Sequence, residues 1–123
     1  MPNRTIRDII SQQKVLSAPD TMTVREAAIR MAESKVGAML ILEKGQLIGI
    51  FTERDLLNRV IAKRLDPDTT TLSQVLTADP RTIAADKPLA HALVMMEDGG
   101  YRHVPVMDNG APVGMVSARD ALG

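Results

Sequence analysis

Gly49-Ile50-Phe51-Thr52-Glu53-Arg54-Asp55-Leu56-Leu57 recurs as Gly114-Met115-Val116-Ser117-Ala118-Arg119-Asp120-Ala121-Leu122, 65 residues further on. A repeat close to half the length of a 123-residue chain commits it to one fold made of two copies of a unit, with a pair of pockets expected between them. What recurs is a glycine, two apolar residues, a hydroxyl and, three residues later, a carboxylate. That set suits a sugar or a phosphate as well as a scaffold.

The register holds without a gap from Val24–Leu57 to Leu89–Leu122, so that Ala27 matches Ala92, Met31 matches Met96 and Gly45 matches Gly110. Upstream the offset becomes 66, pairing Asp20 with Asp86 and Ile9-Ile10 with Val75-Leu76. One residue gained or lost in a turn is tolerated and leaves the repeat intact. Each copy reads as strand, helix, strand, strand, helix. Val15 to Ala18 is a short strand. Val24, Ala27, Ala28, Met31 and Ala32 recur at helical spacing, and Thr23-Val24-Arg25-Glu26 has the form of a capping box at the start of that helix. Met39–Leu42 and Leu47–Phe51 flank the short loop Glu43-Lys44-Gly45-Gln46 and predict a hairpin. Leu56, Leu57, Val60 and Ile61 continue as a helix.

In the second copy Asp86-Lys87-Pro88 opens a helix through Met96, with proline tolerated in its first turn. Val104–Met107 and Pro112–Val116 flank Asp108-Asn109-Gly110, whose Asn-Gly pair is a strong hairpin signal. These elements predict an α/β chain of the α+β kind. An N-terminal segment with a first unit spans residues 1–62, a linker rich in Asp, Pro and Thr spans 63–71, and a second unit spans 72–123. The second copy stops at Gly123, leaving almost no helix after Asp120. The Thr5–Gln13 segment, with Ile6, Ile9 and Ile10 on one face, is expected to cover the apolar surface that this helix would have covered.

Composition excludes several classes of function. Fifteen basic and fifteen acidic side chains cancel, so no global field draws the chain to nucleic acid or to an anionic membrane. There is no cysteine, which removes disulfides, thiolate metal sites and a cysteine nucleophile. No apolar run is long enough to span a bilayer, and Met1-Pro2-Asn3-Arg4 leads into no signal-like segment. A cytoplasmic protein is the expectation. One Phe, one Tyr and no Trp leave no platform on which unpaired bases stack. The core must be built from Val, Ile, Leu, Ala and Met.

Thr52-x-x-Asp55 and Ser117-x-x-Asp120 carry the strongest chemical signal. A hydroxyl residue followed three positions later by an acid is itself a capping-box pattern, and each motif lies where a strand turns into a helix. The first copy alone favours the cap. The second favours a site, because Asp120 recurs where hardly any helix is expected to need capping. A hydroxyl and a carboxylate at a helix start can also engage ribose hydroxyls, with free backbone N–H groups nearby for a phosphate. The glycine before each motif permits close approach of backbone or ligand.

The paired unit resembles the CBS domain, named after cystathionine beta-synthase, two of which form a Bateman module. The motifs that carry the resemblance are Gly49 to Asp55 and Gly114 to Asp120. Val24-x-Glu26-Ala27 and Arg102-His103-Val104-Pro105-Val106 match as well. The resemblance implies two pseudo-twofold-related β-α-β-β-α units packed through their sheets, with two clefts for adenosyl ligands: AMP, ADP, ATP or S-adenosylmethionine. It implies that Asp55 and Asp120 hold ribose hydroxyls, with Thr52 and Ser117 near ribose or phosphate. Adenine would lie against Ser17, Ala18 and Val36, Gly37, Ala38 for one cleft, and against Thr82, Ile83 and Tyr101, Arg102, His103, with Pro105 beyond them, for the other. Arg102 and His103 would reach the phosphates of a nucleotide in the Asp55 cleft, because arginine binds phosphate in a bidentate manner. The matching Gly37-Ala38 carries no charge, so the clefts are expected to be unequal. Arg54 and Arg119 recur just before each Asp and suit a surface salt bridge, a phosphate or a dimer interface. His91, matched by Glu26, reads as an exposed helix position.

No catalytic constellation is present. Two histidines without cysteine show no zinc-ligand spacing, and there is neither a Walker-type loop nor a Gly-x-Ser-x-Gly elbow. Asp55 and Asp120 fall in equivalent, separate sites and so do not converge on one bond. The resemblance implies a regulatory, energy-sensing module, not an enzyme, with no catalytic cofactor. The resemblance also implies a homodimer through helix faces, for which those bearing Ala27, Ala28, Met31, Met95 and Met96 would serve as well as they would serve an internal core, and an unidentified enzyme or transporter as partner. The alternative is a structural dimerisation module with vestigial clefts. Nucleic acid and membrane are not expected as partners, a local Lys63-Arg64 patch notwithstanding.

Overall fold

The computed structural model describes residues 4–121; the calls on Met1-Pro2-Asn3 and on Leu122-Gly123 fall outside the described residues. In chain order the elements are α1 (Ile6–Ile10), β1 (Ser17–Ala18), α2 (Val24–Ser34), β2 (Ala38–Glu43), β3 (Gln46–Thr52) and α3 (Glu53–Asp55). The last of these runs directly into a π-helix, Leu56–Ile61. There follow α4 (Leu72–Val75), β4 (Thr77–Ala78), β5 (Ile83–Ala84), α5 (Leu89–Gly99), β6 (His103–Asp108), β7 (Ala111–Ser117) and a 3₁₀ turn, Ala118–Ala121. The chain is of the α+β class, with two separate sheets.

It divides into two compact units, Leu16–Pro80 and the chain on either side of it, up to Val15 and from Arg81 onward. In the Leu16–Pro80 unit the sheet order is β1-β2-β3-β4, with β1 parallel to β2 and the other pairs antiparallel. Its core joins Val24, Ala27 and Met31 of α2 to Met39, Ile41 and Phe51 of the hairpin, to Val60 of the π-helix, and to Leu72 and Val75 of α4. The other unit has sheet order β5-β6-β7. Its core joins Leu89, Ala92 and Met96 of α5 to Val104, Val106 and Val116, with Ile6 and Ile9 of α1 closing one side. The Thr5–Gln13 segment thus covers the apolar surface of the second repeat, as its apolar face predicts. The two hairpins are built alike. Lys44-Gly45 and Asn109-Gly110 both take positive φ, the conformation of the tight turn that matches strand twist.

The repeat therefore exchanges its leading helices. α1 precedes the first repeat in sequence and packs on the second, while α4 precedes the second and packs on the first. Each is seated in the same way. Thr5 with Asp8 and Thr71 with Gln74 form reciprocal capping boxes. The Ile6 N–H donates to the Lys87 carbonyl at 3.1 Å and the Leu72 N–H to the Met22 carbonyl at 2.9 Å. In return Leu89 donates to Arg4 and Val24 to Thr70, at 3.0 and 2.9 Å. The Thr5 backbone N–H, and then its hydroxyl, hold the Asp8 carboxyl below the usual carboxylate range.

Two expectations need revision and one is narrowed. The predicted box at Thr23 forms by half: Thr23 Oγ1 accepts from the Glu26 N–H, while the Glu26 carboxylate pairs with Arg30. Of the two uses open to Ala27, Met31 and Met96, the structure shows the core: all three are buried against their own units. The helix after Asp55 is wound as a π-helix, with Ala62 N–H bonded to Leu57 O and Leu65 N–H to Val60 O, five residues back in each case. Among the described residues no helix is long and apolar enough to cross a membrane.

Candidate functional site

In the Leu16–Pro80 unit the strand ends bring the candidate residues together. Ala38 pairs with Thr52 across the hairpin, and the Glu53 N–H donates to the Gly37 carbonyl at 2.9 Å. β1 runs alongside, with Ser17 opposite Leu40. The chain then turns at Thr52, whose hydroxyl accepts the Asp55 N–H at 3.1 Å while Asp55 Oδ2 accepts the Thr52 N–H at 3.0 Å and the Thr52 hydroxyl proton at 3.1 Å. The motif is a reciprocal capping box, and Asp55 is only 7% exposed within it. Its cost of burial is met by further donors. The Thr77 hydroxyl donates to Oδ1 at 3.1 Å, and Arg59 Nε stands 3.5 Å from the same oxygen.

The second unit repeats the frame. His103 pairs with Ser117, the Ala118 N–H donates to the Arg102 carbonyl at 2.9 Å, and Ile83 of β5 lies opposite Val106. Asp120 Oδ2 accepts the Ser117 N–H at 2.7 Å, with the Ser117 hydroxyl at 3.4 Å. Asp120 is part-exposed, and among the described residues its Oδ1 has no hydrogen-bond partner. The Arg4 guanidinium reaches the Asp120 main-chain carbonyl at 3.3 Å and not its carboxylate. Tyr101 folds back over Gly99, where an added Cβ would lie 2.0 Å from its ring.

The predicted residues divide between the units: Ser17, Ala18, Val36, Gly37, Ala38, Thr52, Arg54 and Asp55 lie in one, and the rest in the other. Ser17, Arg54, Thr82, Arg102 and Arg119 are exposed, and Val36, Gly37, Thr52, Tyr101, His103 and Ser117 are partly so. Ala18, Ala38, Ile83 and Pro105 are buried and offer a ligand little beyond their backbone. Sequence reasoning missed Thr77, Arg59 and Gln13. Gln13 does with its side chain what β4 does with its backbone. Its amide accepts the Met115 N–H at 2.9 Å and donates to the Met115 carbonyl at 2.6 Å, while the matching Ile50 pairs with Thr77. Among the described residues no group of three or more His, Asp or Glu could hold a metal ion.

Repeated strand-turn frames, each ending in a capped hydroxyl–carboxylate pair, define a tandem module. The family model described as CBS domain matches residues 6–62 and again 72–123, and the chain belongs to the CBS-domain family, with two copies. It is 37% identical over 110 residues to the CBS domain-containing protein CBSCBSPB5 of Arabidopsis thaliana, an alignment covering 89% of this chain and 20% of that protein. The chain thus spans about a fifth of the length of that relative. Among solved structures it resembles a CBS domain protein from Pyrobaculum aerophilum complexed with AMP, at TM-score 0.84 and 31% identity, covering 95% of this chain and 88% of that one. It also resembles the CBS domain pair of protein MJ0100 in complex with 5′-methylthioadenosine and S-adenosyl-L-methionine, at TM-score 0.83 and 28% identity, covering 98% and 94%.

Proposed function

We infer that the chain is a regulatory module of the cytoplasm that binds an adenosyl ligand through Thr52/Asp55 and Ser117/Asp120, and passes the resulting change to a partner protein or to its own oligomer. AMP, ADP, ATP and S-adenosylmethionine are the candidate ligands, and an adenine nucleotide would make the module an energy sensor. The observation that carries this reading is the recurrence, in both units, of a carboxylate fixed by its own strand end beside backbone groups of β2 or β6. A carboxylate held in place accepts two hydroxyl protons from a ribose without further ordering cost. The two relatives solved with adenosyl compounds support the choice of ligand class. The module is not an enzyme in this reading, since its two carboxylates serve separate ligands. Arg102 and His103 offer charge and donors to the phosphates of an anionic ligand. Arg54 and Arg119, exposed beside each motif, are further contacts for an anionic ligand.

One observation favours a second reading. Asp55 already has a full set of donors within its own unit, as a purely structural cap would have. On that account the module serves only for dimerisation. Thermal melting with AMP, ADP, ATP and S-adenosylmethionine, beside Asp55→Ala and Asp120→Ala, separates the two. A ligand at a hundred times its Kd adds about 2.7 kcal/mol, a rise easily read in Tm. The expected result is a rise with at least one compound, reduced by each substitution and most by Asp55→Ala for the phosphorylated ones. A flat response to all four compounds in the wild type leaves the structural reading.

A further inference from the structure

Asp55 is already engaged by its own chain. Oδ2 takes two donors from Thr52, and Oδ1 takes the Thr77 hydroxyl at 3.1 Å with Arg59 Nε at 3.5 Å. The same Thr77 hydroxyl also lies 3.4 Å from Oδ2. Arg59 extends the connection, since its Nη1 donates to the Leu76 carbonyl at 2.9 Å and to the Val75 carbonyl at 3.5 Å, at the end of α4. The α4–β4 segment is thus tied to this carboxylate twice, directly by Thr77 and indirectly through Arg59. Among the described residues Asp120 has neither tie. The segment in the corresponding place contributes Gln13, whose amide is spent on the Met115 backbone.

A carboxylate offers about four lone-pair directions, and a ribose diol needs one on each oxygen. At Asp120 the donors among the described residues all go to Oδ2. At Asp55 the protein's own donors stand on both oxygens. We propose that Thr77 is a positioning residue that holds Asp55 against the ligand, so that an adenosyl ribose and the α4–β4 segment compete for the same carboxylate oxygens. This rests on the reading of Asp55 as a ribose acceptor. A ligand that takes Asp55 exchanges the Thr77 hydroxyl for its own and loosens α4–β4, whose Leu72 and Val75 lie in the core of that unit. By linkage, whatever pins α4–β4 weakens the ligand to the same degree. The Asp55 site then opens only when its tie to α4–β4 is replaced.

The test is calorimetric titration of wild type, Thr77→Val, Thr77→Ser and Thr77→Val/Asp55→Ala with AMP, alongside amide hydrogen exchange of the free proteins. Valine keeps the shape and strand preference of threonine and removes only the hydroxyl. Thr77→Val is expected to bind AMP about tenfold more tightly at one site, the size of one lost competing hydrogen bond to a charged group. The gain disappears when Asp55→Ala is added, and Thr77→Ser retains wild-type affinity. In the free protein the Thr52 and Ala78 amides exchange faster in Thr77→Val. Binding by wild type with no gain, or a loss, in Thr77→Val overturns the role of Thr77 and leaves the ribose reading standing. Absence of binding in wild type and variants alike, with AMP and then with ADP, ATP and S-adenosylmethionine, overturns both.

Discussion

Gly49 and Gly114 occupy the same place in the two repeats, and the reason lies in what crosses them. A Cβ on Gly49 would lie 2.7 Å from the Thr77 carbonyl oxygen and 2.8 Å from Leu76 Cδ1. One on Gly114 would lie 2.5 Å from Ile10 Cγ2 and 2.9 Å from Gln13 Oε1. In both repeats the exchanged segment runs over the strand at this residue, and no side chain fits beneath it. Gly49→Ala must push backbone aside and is expected to cost about 2 kcal/mol, as overpacked sites do, read as a lower midpoint in urea with an unchanged slope. A shift below about 0.5 kcal/mol, the ordinary effect of a surface change, would mean that β4 moves freely. At this scale the motif was legible: residue types and spacing located Thr52, Asp55, Ser117 and Asp120 beside the strand ends they cap. Thr77 was not, because its hydroxyl meets a carboxylate 22 positions away and nothing local marks it. Nor did the sequence distinguish which neighbour each glycine admits, ligand or protein.

Helices α1 and α4 carry the fold's least local interactions. Ile6 is fully buried, and its partners lie in β5, α5, β6 and β7. Truncating such a side chain typically costs 2–5 kcal/mol, and here the loss falls on a unit that is remote in sequence. Ile6→Ala is expected to raise hydrogen exchange across α5, β6 and β7 while the β2–β3 hairpin stays protected. Equal loss of protection in both would show that the units melt as one. The apolar face of α1 made its covering role readable. The π-helix was not readable, since Leu56, Leu57, Val60 and Ile61 satisfy an ordinary helical period. Widening that turn keeps Val60 in the core and leaves Arg59 able to reach both Asp55 and the end of α4, which fits the tendency of such turns to lie at working sites.

Over the whole molecule the charges balance, so no net charge opposes association through apolar surface. Ile29 and Val94, equivalent in the two repeats, are 45% and 58% exposed on α2 and α5, and Leu57 is 60% exposed on the π-helix. These residues, and not the buried Ala27, Met31 and Met96, are the ones a homodimer through helices would use. Ile29→Lys combined with Val94→Lys is expected to shift sedimentation toward the monomer while leaving the monomer's unfolding free energy within about 0.5 kcal/mol of wild type, as surface substitutions do. A dimer that survives both substitutions rules out these faces.

The crossing of leading helices carries a consequence for how such a chain could arise. A single repeat standing alone would own a leading helix with no sheet of its own beneath it and a core left open where the other repeat's leading helix packs. Two separate copies would each lend the other the missing lid, so a pair of short polypeptides could close both cores before any peptide bond joined them. On that view duplication and fusion added no new packing. They made permanent, within one chain, a mutual loan between two, and no cut at the boundary of the repeats returns two self-sufficient halves.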